Sequence, residues 1–135
     1  MRKAFEDLIE FERACGHEPS ETGPAVPEGR VQELRMSLHG EEFDELRRAM
    51  EAGDLPGIAD GLADLIYVCE GTAVRYGIDL PAIWDAVHSA NMTKANGPRR
   101  ADGKIMKGPN FKHPDIAGIL MTQRPLAETY GKEAS

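Results

Sequence analysis

Glu41, Glu42 and Glu45 stand within one short stretch, and Asp60 and Asp64 follow four positions apart. Residues three and four apart share a face of a helix, so each group can present its acids together. Hard divalent cations take oxygen ligands, and Mg2+ keeps water and binds substrate phosphates as well. If the two segments pack, up to five carboxylates converge. Like charges about 4 Å apart repel by about 4 kcal/mol at an effective dielectric of 20, and buried ions lose their hydration. Such a cluster needs protons, basic partners or metal ions. The plainer alternative is a solvated face, with Glu41, Glu42, Asp44 and Glu45 in local ion pairs with Arg47 and Arg48, and Asp60 and Asp64 reaching the same arginines.

A second charge pattern lies downstream. Lys94, Arg99, Arg100, Lys104, Lys107 and Lys112 face one acid, Asp102, in their stretch, whereas the rest of the chain holds ten bases and 22 acids. An acidic body with a basic strap offers carboxylates for a metal and, separately, cations for a polyphosphate; the alternative is a solvated loop. The net charge of -7 argues against non-specific nucleic-acid binding, which depends on neutralising phosphates.

The elements that must position these groups read as helices. The 135 residues fit one domain spanning 1–135, and 41% apolar content supports a modest core that a subunit interface would help. Phe5, Leu8, Ile9 and Glu12 set a helix over about 3–15, ended by Gly16; Pro19, Gly23, Pro24 and Pro27 make a loop that could cover a site. A second helix runs over about 28–52 with an apolar stripe of Val31, Leu34, Leu38, Phe43, Leu46, Ala49 and Met50, which Glu42 and Glu45 interrupt. Gly53 is its stop, and Asp54-Leu55-Pro56 caps a third helix to about Tyr76. That helix carries Ile58, Leu62, Leu65, Ile66, Val68, Cys69, Ala73 and Val74 over most of its circumference. The pattern predicts burial nearly all round, by a central position or by a partner subunit. Asp79-Leu80-Pro81 opens a fourth helix to about Lys94, Asp102-Gly103 marks a hairpin tip, Pro114 opens a short last helix, and 123–135 reads as a loose tail.

No run approaches the ~20 apolar residues of a membrane span, and Met1–Asp7 carries acid where a signal peptide needs an apolar stretch. Cys15 and Cys69 form no metal-type pair and no disulfide framework, so the expectation is a reducing cytoplasm. No membrane or nucleic-acid partner is expected.

Glu41-Glu42-Phe43-Asp44-Glu45 is an EExxE motif, followed on the next helix by Ala63-Asp64-Leu65-Ile66-Tyr67-Val68. The pair resembles the MazG-like all-α nucleoside triphosphate pyrophosphohydrolase superfamily, whose signature is EExxE followed by ExxD. His88-Ser89-Ala90-Asn91-Met92-Thr93-Lys94 and Gly97-Pro98-Arg99-Arg100-Ala101-Asp102-Gly103-Lys104 resemble the branch that includes a deinococcal dUTP-hydrolysing enzyme and phage proteins. The resemblance covers about 28–120. It implies an all-α, four-helix-bundle-like fold of the dimeric dUTPase type, with a short C-terminal helix and a basic loop, assembled as a homodimer or dimer of dimers. It implies cleavage of a (deoxy)nucleoside triphosphate to monophosphate and pyrophosphate, in the cytoplasm, or in a host's cytoplasm for a phage protein. By position, Glu42, Glu45 and Asp64 would bind Mg2+ or Mn2+, with two or more ions per site, and Glu41 would bind a further metal or accept a proton. The family Glu of ExxD falls at Gly61, which has no side chain; Asp60 stands one residue earlier, about 100° around a helix. Asn91 and Lys94 are implied sugar and phosphate ligands, with Arg99, Arg100 and Lys104 on phosphates and Tyr67 and His88 at the pocket.

The same residues admit other readings. Gly61 also suits a catalytically impaired helical module that binds nucleotides or a partner protein. A carboxylate-bridged di-iron bundle needs paired Glu-x-x-His motifs, which the chain lacks. Trp84 reads as core, and Cys69 as packing with no adjacent base to activate it. Neither the preferred base nor the choice between ribose and deoxyribose is legible, because base choice depends on pocket shape and a few hydrogen bonds.

Overall fold

Helical periodicity prevails along the chain. The computed structural model describes residues 1–131, and among them are six helices and no strand beyond one isolated bridge: α1 (Arg2–Ala14), α2 (Gly29–Ala52), α3 (Leu55–Arg75), α4 (Leu80–Met92), α5 (Ile116–Thr122) and α6 (Leu126–Thr129). The all-α expectation holds. The chain forms two compact units, one of residues 1–79 with the segment from Gln123 onward, the other of residues 80–122.

In the first unit, α1 buries Phe5, Leu8, Ile9 and Glu12, the face its spacing predicts. Between α2 and α3 stands a tight turn. Gly53 takes φ 65°, a left-handed conformation that glycine adopts without strain. Asp54 then accepts from the Gly57 amide at 3.2 Å and caps α3. The turn sends α3 back along α2, and the two meet along a narrow seam. Arg35 reaches Thr72 and Val68, Leu46 meets Gly61, and Ala49 meets Gly57. On α2 the seam runs through Arg35, His39, Glu42, Leu46 and Ala49, not through the whole apolar stripe. Leu34, Phe43 and Met50 are more than half exposed. The reason is the glycine content of α3. A Cβ on Gly61 would lie 3.1 Å from the Leu46 Cα and 3.2 Å from its Cβ. Such close backbones leave room for one ridge of α2 only.

Burial all round α3 does not occur within this chain: Leu55, Leu62 and Ile66 stand 73%, 49% and 52% exposed. The Cys15–Glu28 stretch is a loop, as expected, but it is tied down rather than free. The Ala25 amide donates to the Tyr76 carbonyl and the Ala127 amide to the Ser20 carbonyl. The segment after Thr122, expected as a loose tail, is packed through Gly131, whereas residues 132–135 lie outside the described residues. Leu126 is fully buried, the Tyr130 hydroxyl donates to Asp79 at 2.8 Å, and the Tyr130 ring lies edge-on to Phe5. Gln123 exchanges two hydrogen bonds with the Asp79 backbone. One buried leucine and one tyrosine hydroxyl carry this docking, too sparse a pattern to read as periodicity.

Glu70 is the least comfortable group in this unit. It is 1% exposed, and neither carboxylate oxygen has a hydrogen-bond partner. Burial pushes its pKa up, opposed by the Met1 ammonium.

The second unit is built on α4, whose Pro81 and Ala90 are buried. Trp84, expected in the core, is half exposed. The helix ends at Met92, so Lys94 falls in the turn beyond it. The strap then forms a miniature hairpin: Arg99 bridges Ile105, the Arg100 amide donates to the Lys104 carbonyl, and Gly103 turns at φ 89°. Asp102 shapes the tip, accepting from the Lys104 amide and from Arg100. Thr93 fastens the strap to the end of α4 by accepting from the Lys112 amide at 2.9 Å. Asp115 caps α5 by accepting from the Gly118 amide.

Two predictions follow from this packing. Gly61→Val forces Leu46 and the α2 backbone aside and costs about 1–3 kcal/mol in urea unfolding. A raised carboxyl pKa means that the folded state binds the proton more tightly than the unfolded chain. The Glu70 contribution is therefore most favourable below the ordinary glutamate value and is lost as pH rises through the raised one. Glu70→Gln should accordingly stabilise the protein at pH 8, by about 1–3 kcal/mol, and lose that advantage at pH 4 in thermal melts.

Candidate active site

Midway along the seam, between the Arg35–Thr72 and Leu46–Gly61 contacts, the register sets Glu42 level with Asp64. Glu42 is half-buried, and its Oε2 is enclosed without a hydrogen-bond partner. Its pKa is raised, first by burial and then by the charges of Asp64, Glu45, Glu41 and Asp60, in that order. The five acids named from the sequence are therefore electrostatic neighbours. They come from two helices that the Gly53–Asp54 turn folds together.

None of these five acids is in an ion pair among the described residues. The solvated-face alternative required Arg47 and Arg48 to neutralise them. Arg47 instead pairs with Glu51 at 2.9 Å and Asp44 at 3.7 Å on the outer face of α2, and the Arg48 Nε donates to the Asp44 carbonyl. Glu41 has one weak contact, accepting from Ser37 at 3.5 Å. As the side chains stand, no three of the described His, Cys, Asp or Glu residues gather in a metal-binding group. The enclosed Glu42 oxygen has no partner and feels the charges of four further acids.

A Cβ at Gly61 would lie 3.1 Å from the Leu46 Cα, so a side chain there requires Leu46 to give way. The acid one residue earlier, Asp60, is exposed. Glu45 and Asp60 line a groove of about 370 Å3 together with Gly57 and Gly61.

The other residues named from the sequence fall into two groups. Tyr67, one turn past Asp64, is turned toward α1, where its ring lies edge-on to Phe11 at 5.4 Å, and the charges acting on its hydroxyl come from α1 and Cys15. His88, Asn91, Lys94, Arg99, Arg100 and Lys104 all belong to the second unit. There His88 and Asn91 are exposed on the last turns of α4, and Lys94 follows in the turn, its amide donating to the Asn91 carbonyl. Arg99 and Lys104 are exposed on the hairpin, and Arg100 is held by Asp102.

The sequence reading missed a polar knot beside the acids. Arg35, 9% exposed, donates through Nε to the Thr72 hydroxyl and through Nη2 to the Val68 carbonyl. The His39 Nε2 lies 2.8 Å from the same hydroxyl, and its Nδ1 lies 4.0 Å from the Cys69 sulfur. Cys69 thus does have a base beside it. Burial, aided by Arg35, lowers the His39 pKa, and burial raises that of the Cys69 thiol. Both shifts favour the neutral forms, and Cys69, expected as packing, is exposed. The signal was present in the spacing, since Arg35, His39 and Glu42 follow one another at helical intervals on one face.

No curated protein matches the chain. The family model described as phosphoribosyl-ATP pyrophosphohydrolase matches residues 8–91, a span that includes all five seam acids. The chain belongs to the phosphoribosyl-ATP pyrophosphohydrolase family, within the MazG-like all-α superfamily of hydrolases that act on phosphoric anhydrides.

Proposed function

We propose that this protein is a Mg2+- or Mn2+-dependent pyrophosphohydrolase of (deoxy)nucleoside triphosphates, releasing a monophosphate and pyrophosphate and acting on the nucleotide pool of the cytoplasm. The observation that carries this reading is the enclosed Glu42 oxygen without a partner, surrounded by the charges of Glu41, Glu45, Asp60 and Asp64. Glu42, Glu45 and Asp64 would hold the cation, with Asp60 reaching from its shifted position and Glu41 holding a further ion or taking a proton. Divalent ions at such a site bridge phosphate oxygens, activate water and offset transition-state charge. The basic residues of the second unit supply positive charge for a polyphosphate, with Asn91 and Lys94 as sugar and phosphate ligands and Arg99, Arg100 and Lys104 on the strap. His88 and Tyr67 are further proposed substrate contacts.

The base is left open between dUTP and guanine nucleotides such as dGTP or GTP; the family's description adds phosphoribosyl-ATP as a candidate. Gly61 favours a second reading, a catalytically impaired nucleotide- or partner-binding module, because the acid of the superfamily motif is missing there. A panel of these four nucleotides with Mg2+ or Mn2+, scored for pyrophosphate, separates the two: turnover supports the enzyme, and none with either metal supports the module.

Two further outcomes are expected. Glu42→Gln abolishes hydrolysis while the circular dichroism spectrum is unchanged; normal turnover would remove the metal assignment. The exposed Leu55, Leu62 and Ile66 of α3 are proposed to meet a second copy, so sedimentation at micromolar concentration should give a dimer or a dimer of dimers. A monomer there would refute self-association. No helix among the described residues is long and apolar enough to cross a membrane, and neither a membrane nor a nucleic acid is proposed as a partner.

A further inference from the structure

Arg47 and Arg48 are adjacent in sequence and differ in what they touch. Arg47 is occupied by Glu51 and Asp44. Arg48 makes no ion pair, and its one hydrogen bond runs from Nε to the Asp44 carbonyl a turn back, at 3.3 Å. Its two terminal nitrogens have no acceptor among the described residues. That bond draws the side chain back along α2, and Arg48 lines the groove that Glu45 and Asp60 also line.

Gly57 and Gly61 line the groove, which leaves about 370 Å3 open beside two of the candidate cation ligands. Arg48 is the one basic residue lining it, and Asp54 is already engaged in capping the Gly57 amide. A bare anion would be repelled by Glu45 and Asp60. An anion that arrives with a divalent cation would meet carboxylates for the cation and a planar guanidinium for its own oxygens. A guanidinium with both terminal nitrogens free matches phosphate geometry in bidentate fashion, which a lysine ammonium does not. The start of α3 at the groove adds the positive end of a long helix.

We propose that Arg48 is a phosphate-binding residue of this groove, gripping the terminal two phosphates of the substrate beside the cation proposed for Glu42, Glu45 and Asp64. The inference rests on the pyrophosphohydrolase reading and adds to it the place where the pyrophosphate end lies.

The test uses imidodiphosphate, a pyrophosphate mimic with a non-hydrolysable bridge, titrated with Mg2+ into the full-length protein by calorimetry. The wild type binds it, Arg48→Ala weakens binding about tenfold, and Arg48→Lys falls between, because charge is restored without the fork. A deoxynucleoside monophosphate binds wild type and Arg48→Ala alike. Arg48 is exposed, so unchanged thermal midpoints are expected for both variants. The inference is overturned if the wild type does not bind imidodiphosphate, if Arg48→Ala binds it as tightly, or if the monophosphate loses as much affinity. Failure of the enzyme reading looks different. No wild-type pyrophosphate release from any nucleotide, together with Arg48-dependent imidodiphosphate binding, retains the anion site and removes the hydrolase. Turnover with binding independent of Arg48 does the reverse.

Discussion

The close approach of α2 and α3 governs the rest of the first unit. Leu46 seats on Gly61, Ala49 faces Gly57, and the Arg35 guanidinium lies over Gly71, where a Cβ would come within 2.8 Å of it. Two helices in such contact cannot slide without driving backbone into side chain, so their register is fixed by steric exclusion rather than by the bulk of apolar surface. That register brings the Glu42 turn against the Asp64 turn. The same tightness means that a Cβ at position 61 would press on Leu46.

Electrostatics work against this packing. Five acids meet at the seam without a basic partner, while nearby arginines are spent elsewhere: Arg35 on α3 hydroxyl and carbonyl oxygens, Arg47 on outward acids, Arg75 on Glu12. Buried or half-buried carboxylates left in this condition destabilise a fold. Under the proposed function, divalent cations would reverse the local sign and make the same surface attractive to phosphate. Glu70 is the contrasting case, a fully buried acid away from the seam whose nearest charge is the chain's own amino terminus. There burial pushes the carboxyl pKa up.

Recognition in the sequence was good wherever local chemistry decided the outcome and poor wherever packing did. The Asp54 cap, the Gly53 stop, the buried face of α1 and the Asp102 turn are short-range devices, and each appears where its residue type predicts. The inward face of α2 was misread in part. Leu34, Phe43 and Met50 look like core, yet the facing glycines admit only the ridge through Arg35, Glu42 and Leu46. Trp84, expected in the core, is half exposed, and the Tyr67 ring lies against Phe11 of α1.

The sequence by itself determined which helices carry the clustered acids and where those helices begin and end, because capping and glycine stops act within a few residues. Only the tertiary structure decided that Glu42 is the enclosed member of the set, that neither Arg47 nor Arg48 pairs with these acids, that His39 stands beside Cys69, and that Leu46 crowds Gly61. These outcomes depend on how nearly two helices can touch, and that distance is set by pairs of residues remote along the chain.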